Sequence, residues 1–133
     1  MTFRDQLYAI EDLADADLPT ALADAAALDA QGPEEHAQKA LMVGTLTARG
    51  GELGAAIEHL KHAATAAEEA GLALLLAEVR VTRASVHAAL GEYDTALPML
   101  RAQIQRLEAM PDGHELLRDA QAELAAYETL LGQ

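Results

Sequence analysis

The sequence predicts an all-α fold of about seven helices in helix-turn-helix pairs, and three observations predict it. Two stretches forty residues apart are nearly the same: Gly51-Glu52-Leu53-Gly54-Ala55-Ala56-Ile57-Glu58-His59-Leu60 and Gly91-Glu92-Tyr93-Asp94-Thr95-Ala96-Leu97-Pro98-Met99-Leu100. Self-similarity at a fixed period marks units that cannot bury their own apolar face and stack on their neighbours instead. Nothing between the breaks alternates with period two, so strands are not expected. The breaks themselves are short and carry helix start and stop chemistry.

Helices are expected over 2–14 and 17–30, because Asp15-Ala16-Asp17 supplies an acidic N-cap ahead of Pro19 in the first turn. Gln31-Gly32-Pro33-Glu34-Glu35 repeats that arrangement, with glycine as stop and proline as start, and opens a helix over 33–49. Gly50-Gly51, Gly71 and Gly91 end further segments and leave helices over 52–70 and 72–90. A helix over 93–109 follows, with Pro98 near its start, where a missing N–H costs least and only a slight bend is expected. Asp112 as N-cap and Glu115 three residues on form a variant capping box that opens 113–131. Linkers this short make consecutive helices antiparallel neighbours.

A chain of 133 residues is the size of one domain, here 1–133, and is read as one. It has no cysteine, which removes disulfides, thiolate catalysis and cysteine-type zinc sites. Acidic residues follow the first methionine too closely for a signal peptide, and no apolar run is long enough to span a bilayer. A cytoplasmic, soluble protein with no membrane partner is expected. The formal charge of −13, from 9 Lys plus Arg against 22 Asp plus Glu, argues against nucleic acid. Residues 1–35 hold nine of the acids against Arg4 alone, which either steers a basic partner or keeps an alanine-rich surface solvated. Phe3, Tyr8, Tyr93 and Tyr127 are the whole aromatic inventory, so the core must be built from Ala, Leu, Val and Ile.

The segments at Gly51 and Gly91 resemble the tetratricopeptide repeat. Each has a small residue in the first helix (Gly44, Ala84), Gly-Glu-Leu/Tyr at the turn, then Ala56 or Ala96 and Leu60 or Leu100 in the second helix. On that register Ala16 and Gly132 take the turn position at the two ends, at spacings of 35, 40 and 41 residues, with Ala9, Ala125 and Ala21 as further small residues. Small side chains are needed where paired helices cross. Leu18, Leu53 and Tyr93 plug the gap between helices, while Leu60 and Leu100 point into the next unit. The resemblance implies a short right-handed solenoid with units near 2–31, 33–71 and 72–110, closed by a capping helix over 113–131 that Tyr127, Leu130 and Leu131 hold in place. Departures are the missing early aromatic, the missing tyrosine before the turn (Thr47 and His87 stand there) and the missing closing proline. Such longer, degenerate units are similar to those of bacterial regulatory proteins.

The resemblance also implies a protein–protein or protein–peptide scaffold that binds a partner in a groove lined by the first helices. By register the lining is Gln6 and Ile10, then Gln38, Leu41, Thr45 and Ala48, then Glu78, Val81, Ser85 and Ala88, and last Asp119, Ala122 and Ala126. The Lys and Asn set that clamps a peptide carboxylate in some members is absent there, so an amphipathic helix or extended apolar segment suits the groove. Some of these side chains serve inter-helix packing if the groove is not used. A homo-oligomer built through the end helices or the groove is the second reading, and an enzyme or metal-binding helical protein the third.

Arg80, Arg83 and Arg49 form a rare basic group that either meets an acidic partner or pairs with Glu78 and Glu52. His59 and His62 lie three apart on one helical face, but two ligands are too few for a metal. His87 is expected hydrogen-bonded and half-buried, and His36 and His114 solvent-facing. No phosphate loop, dinucleotide fingerprint or nucleophile elbow occurs, so no catalytic residue and no cofactor is expected.

Overall fold

Seven α-helices make up the computed structural model, which describes residues 1–132; among them there is no strand. The helices are α1 (Phe3–Ala16), α2 (Leu18–Ala26), α3 (Gly32–Arg49), α4 (Leu53–Ala70), α5 (Ala73–Ala89), α6 (Tyr93–Glu108) and α7 (His114–Leu130). Contacts divide the chain into two compact units, Met1–Leu72 and Ala73–Gln133. The first holds α1 to α4, with α1 on α2, α2 on α3, α1 on α3 and α3 along α4; the second holds α5 on α6 and α6 on α7.

The two near-identical segments fold alike. Gly51 and Gly91 both adopt positive φ, 90° and 80°, which only glycine takes cheaply. The Gly51 N–H donates to the Ala48 carbonyl (3.0 Å) and Glu52 N–H to Thr47 (3.1 Å); Gly91 donates to Ala88 (2.9 Å) and Glu92 to His87 (2.9 Å). These bonds satisfy carbonyls that the helix end would leave orphaned. Gly71 closes α4 the same way, at φ 69°, with Leu72 N–H on Ala67 (3.1 Å).

After the Gly51 turn the chain doubles back. Gly44 and Leu60 lie eight residues either side of Glu52, and a Cβ placed on Gly44 would stand 3.0 Å from the Leu60 side chain. Leu60 is fully buried and packs on α3 of its own pair. The cause is the lack of a side chain on Gly44, which lets α4 close against α3. Ala84 and Leu100 hold the corresponding places about Glu92 and are both fully buried in one cluster with Ala77, Val81, Leu107 and Ala120. Another cluster of the second unit joins Ala88, Ala96 and Leu97. The first unit has its own core of Ile10, Ala14, Ala21, Ala25, Leu28, Val43 and Leu46.

The N-terminal pair departs from the register. Its turn has no glycine and a single intervening residue: Asp17 closes α1 through its N–H on Leu13 (2.8 Å) and caps α2 through its carboxylate on Thr20 N–H (3.2 Å). Two residues fewer than at Gly51 change how α1 meets α2, so Ala9 is exposed and Ile10 is buried. The second helix stops at Ala26, well short of residue 30 and without help from Gly32. Leaving the helix there lets Leu28 enter the core and gives its carbonyl to Lys39 Nζ (2.8 Å).

Three further expectations at helix ends are corrected. Gly113, not Asp112, is the N-cap of α7, and no side chain caps it. Gly113 is buried where a Cβ would lie 3.2 Å from both Leu107 and Met110, so the turn is set by packing instead of by a capping box. Pro98 is the sixth residue of α6, past the first turn, so its ring withholds one helix hydrogen bond. Leu130 and Leu131 remain 69% and 40% exposed; α7 is seated instead through Leu116, Leu117, Ala120, Leu124 and Tyr127. At 100° per residue, the last four share one face.

Two glycines in the first unit should respond oppositely to an added side chain. Gly54, in the first turn of α4 with nothing within 4 Å of its Cβ direction, gains helix propensity, and Gly54→Ala should stabilise by about 0.5 kcal/mol. Gly44→Val should instead destabilise by roughly 2 kcal/mol or more, since overpacking against the buried Leu60 exceeds any propensity gain. Urea unfolding followed by circular dichroism checks both signs.

Candidate partner-binding surface

The residues assigned to the groove fall into three environments. On α3, Gln38, Leu41, Thr45 and Ala48 are all half-buried and recur on one face of the helix. That face is mixed in polarity and broad. Of the two α1 residues, Gln6 is half-buried whereas Ile10 is a core residue.

On α5 the assignment splits. Glu78 is exposed, but Val81 is packed in the cluster around Leu100 and Ala88 in the cluster around Ala96 and Leu97. Both face α6, so neither is open to a partner, which corrects their place in the groove. Ser85 is half-buried and donates to Glu123 Oε1 on α7, while its hydroxyl also lies 3.1 Å from the Val81 carbonyl. On α7, Ala122 and Ala126 are exposed, as is Asp119.

Glu123 organises this part of the second unit, and nothing in its sequence neighbourhood marked it. Its carboxylate accepts from both Ser85 on α5 and Tyr127 one turn along α7. The Tyr127 ring meets Tyr93 of α6 edge-on, with centroids 5.8 Å apart and planes at 66°. Burial, then the hydrogen bond and negative charge of Glu123, push the Tyr127 phenol well above the ordinary tyrosine range. Arg101 and Glu128 add an exposed ion pair between α6 and α7 at 3.3 Å, of a kind worth ~0–1 kcal/mol. A spacing rule of i, i+4 links Glu123 to Tyr127, but only the fold brings Ser85 to them.

A cavity of about 270 Å³ is lined by Leu74 and Glu78 of α5 and by Asp112, Glu115, Leu116 and Asp119 at the start of α7. Two leucines under four carboxylates suit an apolar segment that carries basic residues.

Arg49 finds a partner other than the expected Glu52. Arg49 pairs with Asp15 at 2.9 Å, reaching from α3 to the end of α1, and not with Glu52, whose turn places it beyond the helix end. Arg83 is half-buried, with Nε enclosed and unbonded. His87 is half-buried with Nδ1 2.8 Å from Glu92 Oε1, and His36 and His114 are exposed. Among the described residues no group of three or more His, Cys, Asp or Glu is placed to hold a metal, and no helix is long and apolar enough to cross a membrane.

No family model matches this chain, and neither a curated protein nor a solved structure matches it.

The raised Tyr127 phenol gives a pH prediction. A group whose folded-state pKa lies above its unfolded value contributes stability below the unfolded pKa and loses it as pH rises towards the folded one. The α7 contact should therefore weaken only above about pH 10. An absorbance titration of the three tyrosines should show one ionising late. Glu123→Gln should bring that ionisation down, since both the accepting carboxylate and its charge are removed.

Proposed function

We propose that the protein is a helical-repeat scaffold of the tetratricopeptide type that binds a protein or peptide segment along its first helices. The observation that carries this reading is the Gly51 and Gly91 pair. Two turns forty residues apart share backbone conformation, hydrogen-bond pattern and the buried set Ala56/Ala96 and Leu60/Leu100. A repeat puts its recurring residues into stacking and leaves the less regular helix faces for recognition. Those faces are Gln38, Leu41, Thr45 and Ala48 in the first unit, and Glu78, Asp119, Ala122 and Ala126 in the second.

Apolar positions with acid beside them favour a partner segment that is apolar and basic, held by shape and steered by charge. The acid-rimmed Leu74–Leu116 cavity supports that choice. A solenoid arrangement of the pairs and a regulatory role in a bacterial cytoplasm belong to the same proposal.

Self-association is the second reading, favoured by the exposed Leu130, Leu131, Ala122 and Ala126 at the end of α7. Light scattering over a range of concentrations separates the two, because a strict monomer removes it.

The binding reading is tested by affinity capture with surface variants. Leu41→Arg and Ala126→Arg should each cut the captured partner roughly tenfold while helicity and Tm stay near wild type. Val81→Arg is unsuited to this test, since it would open the core. Wild-type capture by both variants would sink the proposal.

A further inference from the structure

In the first unit a cavity of about 400 Å³ opens between the end of α2, the first half of α3 and the middle of α4. His36, Lys39, His59 and His62 line it, and the rest of its wall is alanine and Val43. Three of the chain's five histidines and one of its two lysines thus converge in a protein with a formal charge of −13. No aspartate or glutamate is among the lining residues. The acids nearest in sequence are engaged elsewhere: Glu35 accepts from Gln31 N–H at 3.0 Å and Glu58 pairs with Lys61 at 3.4 Å.

The placement follows from helix periodicity. His36, Lys39 and Val43 share one face of α3, and His59 and His62 share one face of α4. At 100° per residue this face of α3 lies opposite Gln38, Leu41, Thr45 and Ala48, so the cavity is separate from the surface assigned to the partner segment. Lys39 is fixed in the wall by its bond to the Leu28 carbonyl at 2.8 Å, which leaves two of its three N–H donors for another acceptor.

The donor set is too widely spaced for a metal ion, which needs ligands at about 2.0–2.1 Å around one centre. An oxyanion is less demanding. Its oxygens accept from donors at about 2.8 Å in several directions, and so span a wider ring of nitrogens. Inorganic phosphate would satisfy the donors but leave the alanine and valine wall wet. A volume of this size falls in the range of small-molecule sites, which pair apolar walls with a few placed polar groups. We infer that this cavity binds a small organic acid, its carboxylate held by Lys39 and the three imidazoles and its apolar body lying on the alanines and Val43.

Octanoate is the probe, titrated into the 133-residue chain by calorimetry and by NMR of the histidine rings. Saturable one-to-one binding is expected, with shifts at His36, His59 and His62 and none at His87 or His114. Octan-1-ol and inorganic phosphate should each bind at least roughly tenfold more weakly, since each lacks one half of the match. His36→Gln combined with His62→Gln, both exposed positions, should weaken octanoate roughly tenfold with helicity unchanged. Leu41→Arg should leave octanoate binding as it is, which keeps this test independent of the partner surface. Equal binding of octanol, equal binding of phosphate, unmoved histidine signals or full affinity in the double variant would each overturn the assignment.

Discussion

The closeness of α3 and α4 at Gly44 is the constraint on which the rest of the first unit depends. A chain with one phenylalanine, three tyrosines and no tryptophan has few side chains able to bridge a wide gap between helices. It must bring backbones together and fill what remains with alanine and leucine. Gly44 provides the space and Leu60 fills it, a burial of the kind worth about 1.5–3 kcal/mol. Ala84 and Leu100 repeat the solution in the second unit, with a methyl group in place of the hydrogen. The Gly51 and Gly91 turns serve the same end, because a helix that stops cleanly on backbone bonds can reverse at once and hold that contact in register.

The N-terminal pair reaches a similar result by different chemistry. A single residue, Asp17, ends one helix and begins the next, so side-chain capping replaces the glycine turn. Hydrogen bonds from the Thr20 side chain and backbone hold the Asp17 carboxyl below the ordinary carboxylate range. The shorter connection moves the contact from Ala9 to Ile10, and a core of larger residues, Ile10, Leu28, Val43 and Leu46, follows. At the other end, Gly132 repeats the left-handed turn, with φ 76° and its N–H on Thr129. Ala125, which matches Gly44 and Ala84 in register, is nevertheless exposed. The turn is set by local bonds, whereas burial at that slot needs a facing helix.

Charge is spent unevenly. The ion pairs of Arg49, Lys61 and Arg101 are exposed and contribute little. Glu123 does more, since it gathers two hydroxyls from two helices in a half-buried place beside the Tyr93–Tyr127 contact. The acids around Leu74 and Leu116 and the nitrogens around Val43 give the two units cavities of opposite character. One suits a basic apolar segment and the other an acid with an apolar body.

Helix content, the stops at Gly51, Gly71 and Gly91, the cap at Asp17 and the burial of Ala56, Leu60, Ala96 and Leu100 were legible from residue order. Helix propensity, left-handed glycine and capping all act within about a turn of chain, so a linear reading reaches them. Val81, Ala88, Ser85 and Asp15 were not legible in that way. Whether an apolar residue packs or stays open, and which acid meets Arg49, depends on how each helix is rotated against its neighbour. That rotation is fixed by turn length and by side chains distant in sequence. The sequence by itself determined the helices and the repeated turn; only the tertiary structure decided which faces are core and which four nitrogens share a cavity, because those are contacts between helices.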